Sequence, residues 1–262
     1  MLTPTEFRNL HRPGSPLFLP NAWDLASARW LHASGHPVVG TTSLGVAFTA
    51  GPRDGAGEIA EDTLGLVRRI AGAGIAVTAD IEAGFSSDPA EVASYVAELA
   101  GLGAVGVNIE DSDTAGQLVD PSLAAAKISA IAAAVPNLYL NARTDVFWIG
   151  GDADTASRHA DAVARADRYL AAGATGVFVP GVLAPATVSA LTASIAAPLN
   201  VLVQQRIPVA ELARLGVARV STGSLLFRAA LGALAETATS SGEGELRQPT
   251  STPSYDDVVA LD

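Results

Sequence analysis

The chain has 262 residues, about half of them apolar, with 16 basic against 27 acidic side chains, a net charge of −11 and no cysteine. That balance argues against a nucleic-acid or anionic-membrane surface, which needs a basic footprint, and the missing cysteines exclude disulfides, thiolate metal sites and thiol nucleophiles. No run approaches the roughly 18 consecutive apolar residues of a membrane span, and the opening MLTPTEFRNLHRPG has neither a basic leader nor an apolar segment, which together point to a soluble, cytoplasmic protein.

Along the chain, short apolar β-rich runs alternate with longer Ala- and Leu-rich stretches, as expected of repeated strand–helix units around a parallel sheet. Strands are expected at Leu17–Pro20, Val38–Thr42, Ile75–Asp80, Ala104–Glu110, Leu138–Arg143, Thr175–Pro180, Leu199–Val203 and Ala218–Ser221. Continuous apolar runs such as VGVNIE and TGVFVP suit strands buried on both faces. Asp88-Pro89 and Asp120-Pro121 should each open a helix, with Asp as N-cap and Pro at the first helical position. Gly35, Gly74, Gly103 and Gly173 should close helices just before a strand, through left-handed C-caps. Eight such units in about 250 residues favour a closed (β/α)8 TIM-type barrel over an open doubly wound sheet. The barrel is expected to occupy residues 1–236 as one domain; residues 237–262, rich in Ser, Thr, Gly and Pro, read as a polar tail or an arm packing on a neighbouring subunit.

Lys127 is the only lysine. It falls in the helix after the fourth strand, outside the barrel, which argues against Schiff-base chemistry, since that needs a lysine at the barrel mouth.

Barrel enzymes carry their chemistry at the C-terminal ends of the strands. Those ends read Asn21 and Asp24, Thr42-Ser43, Asp80 with Glu82, Asn108 with Glu110 and Asp111, Asn141 with Arg143 and Asp145, then Asn200. A single polar residue there is ordinary, because loops begin at strand ends. Carboxylates on neighbouring ends (Asp80, Glu82, Glu110) would instead crowd into one small volume, at a cost that a cation offsets. Mg²⁺, or Mn²⁺ as second choice, suits a site of carboxylates and waters. Zinc fits poorly, because there is no cysteine and His11, His32, His36 and His159 all fall away from the strand ends. The Arg143 guanidinium should reach the mouth, where its planar fork suits a substrate carboxylate or an enolate oxygen, or else pairs with Asp145 or Glu110. The small turn Thr42-Ser43-Leu44-Gly45 could aim backbone N–H groups at a carboxylate.

The segments LPNAWDLASARWL, GTTSLG, PRDG, TADIEAGF, GVNIEDS, LNARTDVF, GVFVPG, PLNVLV and RVSTGS, in this order from about residue 17 to 230, together resemble the isocitrate lyase/phosphoenolpyruvate mutase superfamily. The resemblance implies a (β/α)8 barrel whose last helix is exchanged between subunits of a homodimer or homotetramer, with Mg²⁺ and the enolate of a 2-oxo acid at its site. By motif it implies Asp80 and Glu82 as metal-site carboxylates, Glu110 as a third and Asp54 as a holder of metal waters. It also implies that Ser43, Leu44 and Gly45 grip the substrate carboxylate, that Arg143 neutralises substrate charge and that Asn200 binds substrate. This sequence departs from the pattern after the fourth strand, where SDTAGQLVDP lacks the lysine and cysteine of the lyase loop and the lysine and asparagine of the mutase loop. The expected activity is therefore a Mg²⁺-dependent C–C lyase or decarboxylase for a small 2-oxo or 2-hydroxy dicarboxylic acid, because solvent can protonate an enolate without a cysteine acid. P–C bond chemistry, with Arg53 or Arg206 meeting a phosphoryl group, and a non-catalytic 2-oxo acid binder are the alternatives.

Overall fold

The computed structural model describes residues 2–149, 153–242, 249 and 252–261. Helix α1 (Pro4–Asn9) leads into the split strand β1 (Leu17–Leu19) and β2 (Asn21–Ala22), followed by α2 (Leu25–Ala33), β3 (Val38–Thr41), α3 (Ser43–Ala50), α4 (Ala60–Gly72) and β4 (Ala76–Asp80). Then come α5 (Pro89–Gly101), β5 (Ala104–Glu110), α6 (Pro121–Ala134), β6 (Tyr139–Arg143), α7 (Val146–Ile149), α8 (Thr155–Ala171) and β7 (Gly176–Phe178). The chain continues through α9 (Pro185–Ser194), β8 (Leu199–Leu202), α10 (Val209–Arg214), β9 (Arg219–Ser221), α11 (Leu225–Gly242) and α12 (Tyr255–Val259).

Among the described residues all nine strands are parallel, in the order β1-β9-β8-β7-β6-β5-β4-β3-β2. The array comes round on itself because β1 and β2 are two halves of one segment broken at Pro20, which has no N–H to give a ladder. On one side Thr222 N–H donates to Leu19 O at 3.2 Å; on the other Gly40 N–H donates to Pro20 O at 2.9 Å. Asn21 stitches the break: its Oδ1 accepts from the Thr222 and Gly223 amides, and its Nδ2 donates to Thr41 O. Every strand expected from the sequence is present, the first extended past the proline by β2.

The helix ends follow local chemistry. Asp88 and Asp120 are N-caps with proline in the first turn, and Gly35, Gly74, Gly103 and Gly173 all have positive φ. The spacing of Leu66, Val67, Ile70 and Ala71 turns one face of α4 inward, and Ala162, Ala166 and Tyr169 do the same for α8. The bulk of the core lies between this helical ring and the outward strand faces.

Inside the barrel, alternation of large and small residues does the filling. Tyr139 and Arg219 are both wholly buried, and glycines make room for the tyrosine. A Cβ on Gly176 would stand 2.2 Å from Tyr139 Oη, and one on Gly106 would stand 2.8 Å from Tyr139 O. From below, α1 places Phe7 against Tyr139 edge-on, and His11 stacks on the same ring at 4.0 Å. Burial, with Arg219 nearby, pushes the His11 pKa down to about 3, so this imidazole is a neutral packing group. The N-terminal end of the barrel is thus plugged, and the cavity opens at the other end.

The tail expected over 237–262 falls partly outside the described residues. Within them, α11 continues to Gly242 and buries Phe227 and Ser240, while Leu225, Leu231 and Leu234 stay exposed.

Gly176→Ala should cost ~1–3 kcal/mol of unfolding free energy through overpacking. Tyr139 Oη has no hydrogen-bond partner, so adding Tyr139→Phe should restore part of the loss in denaturant unfolding. Equal losses in the single and double variants would show that the tyrosine hydroxyl is not what Gly176 accommodates.

Candidate active site

A cavity of about 320 Å³ opens at the C-terminal ends of the strands. Its wall carries Asp80 from β4, Glu82 from the loop that follows, Glu110 from β5, Arg143 from β6, Thr42, Ser43 and Leu44 from the start of α3, and Arg53 and Asp54 from the loop after α3. Phe178, Pro180 and Leu202 form an apolar stretch of the same wall, with Trp148 at its rim.

Arg143 is the centre of the charge network. Its Nη1 lies 2.6 Å from Glu110 Oε2, and Nε and Nη2 hold both oxygens of Asp145 at 2.6 and 3.0 Å. These contacts use three of the five N–H donors of the guanidinium, which also lies 5.7 Å from the Phe178 ring centroid. Ser112 Oγ ties the two carboxylates together, donating toward Asp145 Oδ2 at 2.7 Å and lying 3.0 Å from Glu110 Oε1. Behind them Asp111 accepts from the Asp145 amide, from Arg165 Nη1 and from Tyr169 Oη. Burial would lower the Arg143 pKa, but Glu110, Asp145 and Asp80 raise it above the ordinary arginine value, so the cation is permanent.

The other carboxylates are less well compensated. Asp80 accepts from the Ser43 amide, and burial raises its pKa against the pull of Arg143. Glu82 sits at φ +48°; its Oε2 accepts from Gly57 N–H at 2.9 Å, while Oε1 is buried without a partner. Burial, with Asp80 and Asp54 close by, pushes Glu82 up to about 7, and burial pushes Glu110 up to about 8 despite Arg143. Asp54 Oδ1 is a further orphaned buried oxygen. Clustered carboxylates with raised pKa values and unused oxygens are the electrostatic complement of a cation. Among the described residues no three carboxylate or imidazole groups converge as a ready-made cage, since Arg143 occupies Glu110.

At the opposite wall Thr42 caps α3 without a side-chain hydrogen bond; Asp80 takes the Ser43 amide, and the Leu44 and Gly45 amides of the first turn are left for an anion.

Residues 7–241 match the family model described as phosphoenolpyruvate phosphomutase. The chain belongs to that family. It is an enzyme of the phosphoenolpyruvate mutase/isocitrate lyase superfamily, whose members act on small carboxylic acids. The uncharacterized protein Rv1998c of Mycobacterium tuberculosis is 43% identical over 248 residues, covering 95% of this chain and 93% of its own. A Burkholderia cenocepacia crystal structure provisionally named a phosphonomutase is 39% identical, with a TM-score of 0.85 over 90% of this chain and 99% of that one. A second from the same organism, provisionally named a lyase/mutase, is 32% identical, with a TM-score of 0.87 over 98% and 94%. The fold is shared at 23% identity by a phosphonopyruvate hydrolase solved with oxalate and Mg²⁺, with a TM-score of 0.83 over 99% and 95%.

Of the family positions expected from sequence, Ser43, Leu44, Asp54, Asp80, Glu82, Glu110 and Arg143 meet at the one cavity. Gly45 and Asn200 are not on its wall. Gly45 packs on Trp23, where a Cβ would stand 2.5 Å from Trp23 Cβ. Asn200 is 1% exposed and belongs to a row of amides beneath the cavity, accepting from Asn141 Nδ2, which also donates to Asn108. Asp24 caps α2 instead of facing the site. Sequence reading missed Ser112, Arg165 and Tyr169; the helical spacing of Arg165 and Tyr169 on α8 showed an inward face but not what it would touch.

Because the folded-state pKa values of Glu82 and Glu110 are raised, the metal-free fold binds protons that the unfolded chain has released. Its stability should therefore fall as pH rises from about 4.5, the ordinary glutamate value, through about 7–8. Glu82→Gln should raise the melting temperature of metal-free protein at pH 8.5 and change it little at pH 5. A shift of equal size at both pH values would mean that Glu82 carries no such burden.

Proposed function

We propose that the chain is a Mg²⁺-dependent lyase or decarboxylase that breaks a C–C bond in a small 2-oxo or 2-hydroxy dicarboxylic acid. The observation that carries this reading is the meeting, in one cavity, of buried under-compensated carboxylates, a permanent guanidinium and the open amides of α3. Mg²⁺ or Mn²⁺ at the site of Asp80, Glu82 and Glu110, with Asp80 the direct ligand and the other carboxylates and Asp54 holding its waters, would supply positive charge to the substrate's oxo oxygen and carboxylate. At the start of α3 the Leu44 N–H and the Ser43 side chain would meet the same carboxylate, the Ser43 N–H being held by Asp80. Arg143, fixed by Glu110 and Asp145, turns its remaining donors to the negative charge that develops as the bond breaks. In a decarboxylation the bond's electron pair passes into an enolate, CO2 leaves, and the enolate carbon takes a proton from solvent. Ser112–Gly116 line the cavity without the lysine and cysteine of the lyase loop, which favours this route over one needing a protein acid. Asn200 acts from below by holding Asn141 in the amide floor.

For a phosphonate substrate Arg53 is the one other basic side chain on the wall among the described residues, and it donates to Thr114 O at 3.1 Å. That supports P–C chemistry less well than C–C cleavage. The exposed leucines of α11 suit packing against a second copy in a homodimer or homotetramer.

Turnover of a panel of 2-oxo acids, 2-methylmalate-type acids and phosphonopyruvate should require Mg²⁺ or Mn²⁺ and vanish in Asp80→Ala. Arg143→Gln should lower kcat about 100-fold or more, the scale of one lost oxyanion-stabilising group. Turnover of phosphonopyruvate alone would move the assignment to P–C chemistry. Tight binding of a 2-oxo acid with no turnover anywhere would make the chain a binding protein.

A further inference from the structure

The loop that presents Glu82 is the most contorted backbone at the cavity. Glu82 at φ +48° and Phe85 at φ +61° are the only non-glycine residues with positive φ among the described residues, and Gly84 between them lies at φ +93°. Left-handed conformations of residues with a Cβ persist only where the surroundings hold them. On the cavity side the hold is visible: Glu110 N–H donates to Glu82 O, and Gly57 N–H donates to the Glu82 carboxylate, each at 2.9 Å. Gly84 is pressed on α5 so closely that a Cβ would meet Val92 Cγ1 at 2.7 Å.

The remaining hold comes from behind. Lys127 Nζ, reaching from α6, donates to Ala83 O at 2.8 Å. This is the only lysine among sixteen basic residues. It is 8% exposed and has no carboxylate partner among the described residues, and burial lowers its pKa. A buried ammonium with no counter-charge destabilises the fold unless its hydrogen bonds repay it, and an apolar residue at this helix position would avoid that cost. What the lysine provides is a compact point donor on a long stem, suited to one carbonyl where a planar guanidinium would be too broad.

We propose that Lys127 is a positioning residue: by holding the Ala83 carbonyl from α6 it locks the left-handed loop, so that Glu82 faces the cavity before any ion or substrate arrives. The lock itself is independent of the proposed activity; only its consequence for metal affinity rests on that reading.

Hydrogen exchange on the metal-free protein tests the lock. In Lys127→Met the amides of residues 81–85, above all Gly84 N–H bonded to Ile81 O, should exchange at least ten-fold faster than in the wild type. Ile131→Val, a wholly buried change in the same helix, should leave them unchanged even where it lowers the melting temperature more than the lysine variants do. Lys127→Gln, milder and too short to span to Ala83, carries the same expectation should the methionine variant fail to fold. Mn²⁺ affinity, read by electron paramagnetic resonance without substrate, should drop about ten-fold in the lysine variants and stay within two-fold in Ile131→Val. Unchanged exchange over 81–85, or equal acceleration by Ile131→Val, would overturn the proposal. A wild-type protein that binds no Mn²⁺ would sink the metal reading, while the exchange comparison would still decide the lock.

Discussion

Arg143 stands 2.6 Å from both Glu110 and Asp145, and the burial of these three charges constrains everything around the cavity. Taking such groups out of water costs several kcal/mol per ion, recovered only with close geometry and further hydrogen bonds. Ser112, the Asp111 carboxylate, Arg165 and Tyr169 supply those bonds in sequence, from the strand end outward to α8. The site is therefore rigid on the β5–β6 side, because moving any member exposes another to an unpaired charge.

The opposite side of the cavity is held differently. Glu82 and Asp54 each bury an oxygen without a partner, and burial raises the pKa values of Asp80 and Glu82. A fold tolerates this at a functional site and makes up the stability elsewhere. Here the elsewhere is the lower barrel, where α1, Tyr139 and the inward glycines fill the space tightly, and the ring of helices beyond it. Below the cavity the Asn108–Asn141–Asn200 row separates the two regions with amides that bond mostly to one another and to backbone. The cavity and the tightly packed plug thus occupy opposite ends of one barrel, joined by strands that serve both.

Much of this was legible in the sequence, for reasons that are local. Strand position follows from continuous apolar runs, and helix ends follow from Asp-Pro caps and left-handed glycines, whose conformational preferences act within a few residues. Parallel strands also fix which end of each run faces the mouth, so strand direction alone brings Asp80, Glu110 and Arg143 to one end of the barrel. The fine placement was not legible. Asn200 lies on its strand as expected, yet its side chain is drawn into the amide row, because β6, one strand beyond its neighbour β7, presents Asn141 at bonding distance inside the barrel. Lys127 reads as an outside residue of a helix, and only the course of the loop after β4 reveals the carbonyl it meets.

The sequence by itself determined the barrel, the bounds of its strands to within a residue or two, and the chemical kind of its site, since these depend on period, caps and residue type. Tertiary structure decided that Arg143 takes both of the partners its position offered, Glu110 and Asp145, and which other polar groups stay without one. Arg143 binds Glu110 and Asp145 while Glu82 keeps a free oxygen, and Arg219 lies buried with none of its guanidinium nitrogens hydrogen-bonded. Pairing depends on distances of a few ångströms between residues far apart in the chain, and such distances are set by how strands and helices pack around a closed barrel.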